Sequence, residues 1–225
     1  MAPECGVYLF ALGLASGTAL LAITAYRRVS PRWLAWLLAG SGWLVISRYV
    51  TMALFTHPHA PQRFAALRHC WFATSVGLTL PSVMAIDQLL RHPAMSPQRL
   101  LRWFSPLLVA YGTIIVFGPT TIVVDADTGW RVQLHGGWQT LLGLIQGVFV
   151  LGFVVVSAML IRKVAVSPIR TALLGLALGH TARGLAGWLV ATGQWPFQSV
   201  LYSEMFILLA LWFAYDTSWT LQQNR

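Results

Sequence analysis

Apolar residues fall into seven long runs along this chain, separated by short polar or basic breaks. The runs cover about residues 7–25, 33–55, 64–90, 101–118, 138–161, 171–192 and 197–219. An α-helix rises 1.5 Å per residue, so about 20 apolar residues span the ~30 Å hydrocarbon core of a bilayer. The pattern predicts an all-α membrane protein, with residues 1–225 forming one domain, a bundle of seven transmembrane helices. One break differs from the others. Between the fourth and fifth runs, Thr121-Ile-Val-Val precedes a turn cluster ending at Gly129, and Trp130, Val132 and Leu134 then alternate with polar residues. That period of two predicts a small β-hairpin outside the membrane.

Finer features punctuate the runs. Pro31 suits a helix start, the prolines of residues 56–62 predict a turn, and Pro81 predicts a kink in the third helix. Gly13 and Gly17, Gly143 and Gly147, and the stripe Ala172, Gly175, Gly179, Ala182 and Ala186 predict faces where helices approach closely.

Composition supports the membrane reading. Of 225 residues, 57% are hydrophobic and 9% charged, against about 25% charged in soluble domains. The net charge of +9 does not point to nucleic acid, because the basic residues sit in the breaks and form no stripe interleaved with aromatics. Instead they set orientation. Arg27, Arg28, Arg32, Arg91, Arg99, Arg102, Arg162, Lys163, Arg170 and Arg225 fall on one side, while Arg63, Arg68 and Arg131 fall on the other with Glu4, Asp125 and Asp127. The positive-inside rule then predicts the N-terminus outside and the C-terminus in the cytoplasm. The segment before the first run has no basic region, so no cleaved signal peptide is expected. Tryptophans at the run ends (Trp33, Trp71, Trp103, Trp130, Trp138, Trp219) fit an interfacial belt, whereas Trp43 and Trp188 lie deeper, lining a pocket or filling the core.

Charges inside the runs mark the candidate site, since ionisable groups within a membrane face partners or a cavity. By helical rise, Arg183 in the sixth run lies about 13 Å below its outer end, and Glu204 in the seventh about 10 Å below the same surface. Matched depth on adjacent antiparallel helices predicts an Arg183–Glu204 ion pair, with Arg48 snorkelling to the interface or capping carbonyls. Arg48, Arg68, Arg183, His69 and His180 outnumber that single acid in the outer half. The competing expectation is therefore an outward-opening pocket for an anionic group, a small molecule or a lipid, with Arg48, Tyr49, Arg68, His180, Arg183 and Glu204 as ligand-binding residues. A proton relay through His180 and Glu204 is a further alternative. Asp87 and Asp216, near the inner ends of their runs, are expected to pair with inner arginines such as Arg91.

Other chemistries lack their residues. No catalytic motif lies in any run, so no catalytic residue is assigned and an enzyme is not the favoured reading. His57, His59, His69, His135 and His180 suggest a haem or metal, but their depths do not match across facing helices and no cysteine or carboxylate is fixed among the loop histidines; no cofactor is expected. A retinal lysine is absent from the seventh run, Lys163 being the chain's lysine. Cys5 and Cys70 both fall on the outer side, where a disulfide is chemically allowed.

The layout, with texture such as Trp43-Leu-Val-Ile-Ser-Arg48-Tyr49 and Leu67-Arg-His-Cys-Trp71, resembles the seven-helix N-terminal membrane sensor region of bacterial histidine kinases and related signalling proteins. The resemblance implies a bacterial inner (plasma) membrane protein that senses a small or lipid-like ligand. It also implies relay through the seventh helix to a partner membrane or cytoplasmic signalling protein. Alternatives are an accessory subunit of a larger membrane complex or a small transporter.

Overall fold

A computed structural model describes residues 3–91, 96–125 and 129–223. The helices are α1 (Pro3–Tyr26), α2 (Arg32–Leu54), the single turn α3 (Ala60–Arg63), α4 (Thr74–Leu90), α5 (Pro97–Phe117), α6 (Gly137–Lys163), α7 (Ser167–Ala191) and α8 (Gln198–Gln223). A 3₁₀ segment, Ala65–Phe72, leads into α4. Among the described residues, six helical segments are long and apolar enough to cross a membrane, the 3₁₀ segment and α4 counting as one. The remaining long helix, α7, has 25 residues, but His180, Arg183 and four glycines dilute its apolarity.

Neighbours in sequence pack side by side, and α8 closes the ring against α1. The central element is α4, which touches α2, α5, α7 and α8. Its span is 72% buried, against 17% for α5 and for α6. Pro81 lies within α4, and its carbonyl accepts a 2.8 Å bond from the Tyr215 hydroxyl of α8. Large apolar side chains such as Phe10, Trp36, Val148 and Leu151 cover the outside of the bundle.

The predicted hairpin is present as β1 (Thr120–Asp125) and β2 (Gly129–Leu134), antiparallel, with Ile122 opposite Val132. It lies at the end of the bundle where α2 ends. The Trp130 amide donates to the Phe55 carbonyl at 3.1 Å, and its indole N–H donates to the Pro58 carbonyl at 3.2 Å. Gly129 has φ +87° and sits so close that a Cβ would lie 3.2 Å from Phe55 O. At the opposite end Arg28 pairs with Asp216 at 2.7 Å, as expected for an acid near that end. Asp87 is buried and accepts from the Gln88 amide at 3.2 Å.

Several expectations are corrected. The third run is a 3₁₀ segment followed by an α-helix, not one continuous α-helix. Gly13, Gly17, Gly143 and Gly147 face outward with nothing within 4 Å, so they mediate no packing inside this chain. The close approaches fall at Gly42 against Ile23, Gly77 against α2, and Gly179 against Ile207. The α7 stripe is buried at Ala172, Gly179 and Ala186, but Ala182 is exposed. Trp43 and Trp188 are 55% and 59% exposed and fill no core. Trp71 is buried beside Phe55 and Phe197 instead of standing in the interfacial belt. Cys70 carries a free thiol; the side chain of Cys5 lies outside the described residues, as do His92, Asp127 and Arg225.

Glycine packing supplies a direct test. A Cβ on Gly77 would lie 2.6 Å from Val45 Cγ2 and 2.8 Å from the Ser41 carbonyl oxygen, so α2 and α4 would have to separate. Gly77→Ala is expected to destabilise the bundle by about 1–3 kcal/mol, while Gly147→Ala is near neutral. Thermal unfolding in detergent compares the two; equal melting temperatures would refute the packing.

Candidate functional site

Four helices converge on one buried carboxylate. Glu204, on the second turn of α8, has no solvent exposure. Its Oε1 accepts from Arg48 Nη1 of α2, from the Thr74 hydroxyl at the start of α4 at 3.2 Å, and from Arg183 Nε of α7 at 3.2 Å. Its Oε2 accepts from the Tyr49 hydroxyl at 3.3 Å. Thr74 is a second hub. While donating to Glu204, its oxygen accepts from Arg48 Nη1 and, at 3.4 Å, from Arg183 Nη2.

Charge does not balance here. Two guanidinium groups share one carboxylate, leaving a surplus of one positive charge in a region of low dielectric. Arg48 is 5% exposed, and its buried Nε–H has no acceptor among the described residues. It does not snorkel, because Glu204 is a nearer and stronger partner than the interface. Arg183 is more open, with 15% of its side chain exposed.

That opening leads into a cavity of about 350 Å³ at the hairpin end of the bundle. Arg48, Thr74 and Arg183 line one side, and Arg131 of β2 enters from the hairpin. The Arg131 guanidinium carbon lies 5.1 Å from the centre of the Phe197 ring. Gln133, Gln139 and Gln146 add amide groups, and the Gln146 amide donates to Ser75 at 2.8 Å. Trp71, Phe72, Leu142 and Val190 are among the apolar walls. Among the described residues, none that lines the cavity is acidic.

Of the six residues singled out from sequence, Arg48, Tyr49, Arg183 and Glu204 come together. Arg68 does not join them. Its Nε donates to His69 Nε2 at 3.3 Å, while the opposite nitrogen of His69 donates to the Ile115 carbonyl at 2.7 Å. The 3₁₀ winding explains the displacement. At three residues per turn the chain advances about 20° more per residue than an α-helix, about 80° between Arg68 and the end of the segment at Phe72. His180 is buried but does not line the cavity. Ser82 donates its single proton to the Leu78 carbonyl, so it accepts from His180 Nε2–H at 2.7 Å. The ring packs against Phe149 and Phe153 at 5.3 and 4.8 Å. No hydrogen bond joins it to Glu204.

Thr74 and Arg131 had no distinguishing mark in the sequence. Threonine is common in helices, and Arg131 reads as a solvated hairpin charge until β2 is seen to cover the bundle. His57 and His59 lie on the turn before α3, where His57 Nδ1 accepts the His59 amide at 3.2 Å. Among the described residues, no three His, Cys, Asp or Glu side chains converge.

No model of a known protein family matches this chain, and no curated protein matches it significantly.

The shared carboxylate sets the expected response to mutation. Glu204→Ala leaves the buried Arg48 and the half-buried Arg183 without a counter-charge and is expected to cost about 3–5 kcal/mol. Arg68→Ala, whose contact is exposed, is expected to change stability by less than about 0.5 kcal/mol. Denaturant titration in mild detergent measures both, and a tolerated Glu204→Ala would remove the carboxylate from its structural role.

Proposed function

We propose that this chain is an integral membrane ligand-binding module whose cavity at the hairpin end holds a small anionic ligand. Seven helices cross the bilayer in this reading, with the hairpin end outside and the C-terminus in the cytoplasm. The observation that carries it is the surplus of positive charge around one cavity. Arg48 and Arg183 reach a space that no acidic residue lines among the described residues, and the two share a single carboxylate, Glu204, so one positive charge is in surplus.

The chemistry favours a carboxylate or phosphate monoester attached to a small apolar body. Guanidinium forks match two oxygens of such groups. Glutamine amides can satisfy further polar atoms, and Trp71, Phe72 and Leu142 would receive the apolar part. Signalling is the companion proposal. Glu204 is on α8, and Phe197 just before that helix stacks on Trp71, so a ligand bridging Arg131 and Arg183 would bear on the start of α8. Orientation rests on the basic residues, which crowd the end opposite the hairpin.

A second reading, an accessory subunit of a membrane complex, is favoured by the outward-facing Gly13/Gly17 and Gly143/Gly147 pairs, which match close-packing surfaces between transmembrane helices. Co-purification from native membranes after cross-linking separates it from a partner-free module.

A panel of small carboxylates and organophosphates, added to purified protein in detergent, is expected to contain compounds that raise the melting temperature. Arg131→Gln, outside the Glu204 hub, is expected to weaken binding about 5- to 50-fold. Arg183→Ala is expected to abolish the shift. A panel that never moves the melting curve would sink the proposal.

A further inference from the structure

A second concavity, unrelated to the cavity beneath the hairpin, lies at the opposite end of the bundle on the outer side of α1 and α2. It measures about 390 Å³. Arg27 and Arg32 stand at its mouth, Ala35 and Ala39 line it with small side chains, and Trp36 and Trp43 flank it. Trp36 is 79% exposed.

Two features distinguish this groove from ordinary helix surface. The first is unspent charge. Arg28, in the same turn, is paired with Asp216. Arg27 and Arg32 are exposed, and among the described residues their guanidinium groups make no hydrogen bond or ion pair. The second is length. Arg32, Trp36, Ala39 and Trp43 follow one stripe of α2 at spacings of four, three and four residues, so the groove runs about 16 Å along the helix. Half of a ~30 Å hydrocarbon core is about 15 Å. An indole at the interface accounts for Trp36, one turn from Arg32, but not for Trp43, three turns in.

We propose that this groove binds one anionic phospholipid of the phosphatidylglycerol type. Its phosphodiester sits between Arg27 and Arg32, and one acyl chain lies over Ala35 and Ala39 between the two indoles. Guanidinium groups suit the phosphate because they donate two parallel hydrogen bonds, and basic pockets on the cytoplasmic side of membrane helices select anionic headgroups. A free phosphate would use the arginines alone and leave the apolar length of the groove unfilled. The occupant is therefore a lipid.

The test places full-length protein in phosphatidylcholine nanodiscs containing a small fraction of phosphatidylglycerol brominated in mid-chain, which quenches nearby tryptophan. Brominated phosphatidylcholine at the same fraction is the control. Expected is stronger quenching by the anionic lipid, with the excess lost in Trp43→Phe. Each of Arg27→Gln and Arg32→Gln is expected to lower the apparent lipid affinity about five-fold. Both arginines are exposed, so these variants should fold, and an unchanged melting temperature checks this. Equal quenching by the two lipids would overturn the proposal, as would a preference that survives the double arginine variant. Release of the excess by inorganic phosphate would mean a headgroup-only site and would also overturn it. So would protection of Trp36 and Trp43 from both lipids together with a cross-linked dimer, which would make a second copy of this chain the occupant.

Discussion

The bundle depends on a carboxylate that cannot be left alone. Glu204 has no solvent exposure, and its four donors come from three other helices: Arg48 and Tyr49 on α2, Thr74 on α4 and Arg183 on α7. An unpaired buried charge costs several kcal/mol, whereas a fully hydrogen-bonded one is tolerated. Burial of Glu204 therefore requires all four helices to meet at one depth and in one rotational setting. Apolar packing between the same helices carries less information, since lipid tails are as apolar as leucine and do not drive helices together. The polar hub specifies the arrangement, and the glycine contacts at Gly42, Gly77 and Gly179 allow the backbones to come close enough for the side chains to reach.

Sequence patterning conveys depth well and rotation poorly, and the outcomes divide along that line. Matched depths of Arg183 and Glu204 were enough to anticipate their ion pair, and the helical runs and the hairpin follow from simple periodicity. The depth of Arg48 follows from its place in the second run, but its partner does not, because α2 and α8 both pack on α1 and α4 and their side chains meet between them. Arg68 failed on rotation: the tighter 3₁₀ winding turns it away from the cavity. Gly13 and Gly143 failed for a related reason, since a small-residue motif does not say whether its face points to a neighbour or outward. Arg131 was invisible because its role comes from the hairpin folding back over the end of α2.

The two ends of the bundle use arginine differently. At the hairpin end the guanidinium groups of Arg48 and Arg183 are held by a carboxylate and a hydroxyl, Arg48 buried and Arg183 half-buried, beside the cavity. At the other end Arg27 and Arg32 are exposed and stand at the mouth of an open groove, with tryptophan beside them. The same side chain serves as a fixed, preorganised donor in one place and as a loose surface anchor in the other. Burial and the availability of Glu204 or Asp216 make the difference.

The depth of the cavity carries an electrical consequence. Glu204 lies six residues into α8, about 9 Å along the helix from its start, or roughly a third of the hydrocarbon thickness. Moving one elementary charge across the whole membrane is worth about 2.3 kcal/mol per 100 mV. With the hairpin end outside, as proposed, an anion settling beside Arg183 would cross about a third of that field against a negative interior, at a cost of roughly 0.8 kcal/mol per 100 mV and per charge. Occupancy at a fixed ligand concentration would then rise as the membrane depolarises, by about four-fold over 100 mV. A binding site placed this far below the surface would read the energisation of the membrane together with the concentration of its ligand.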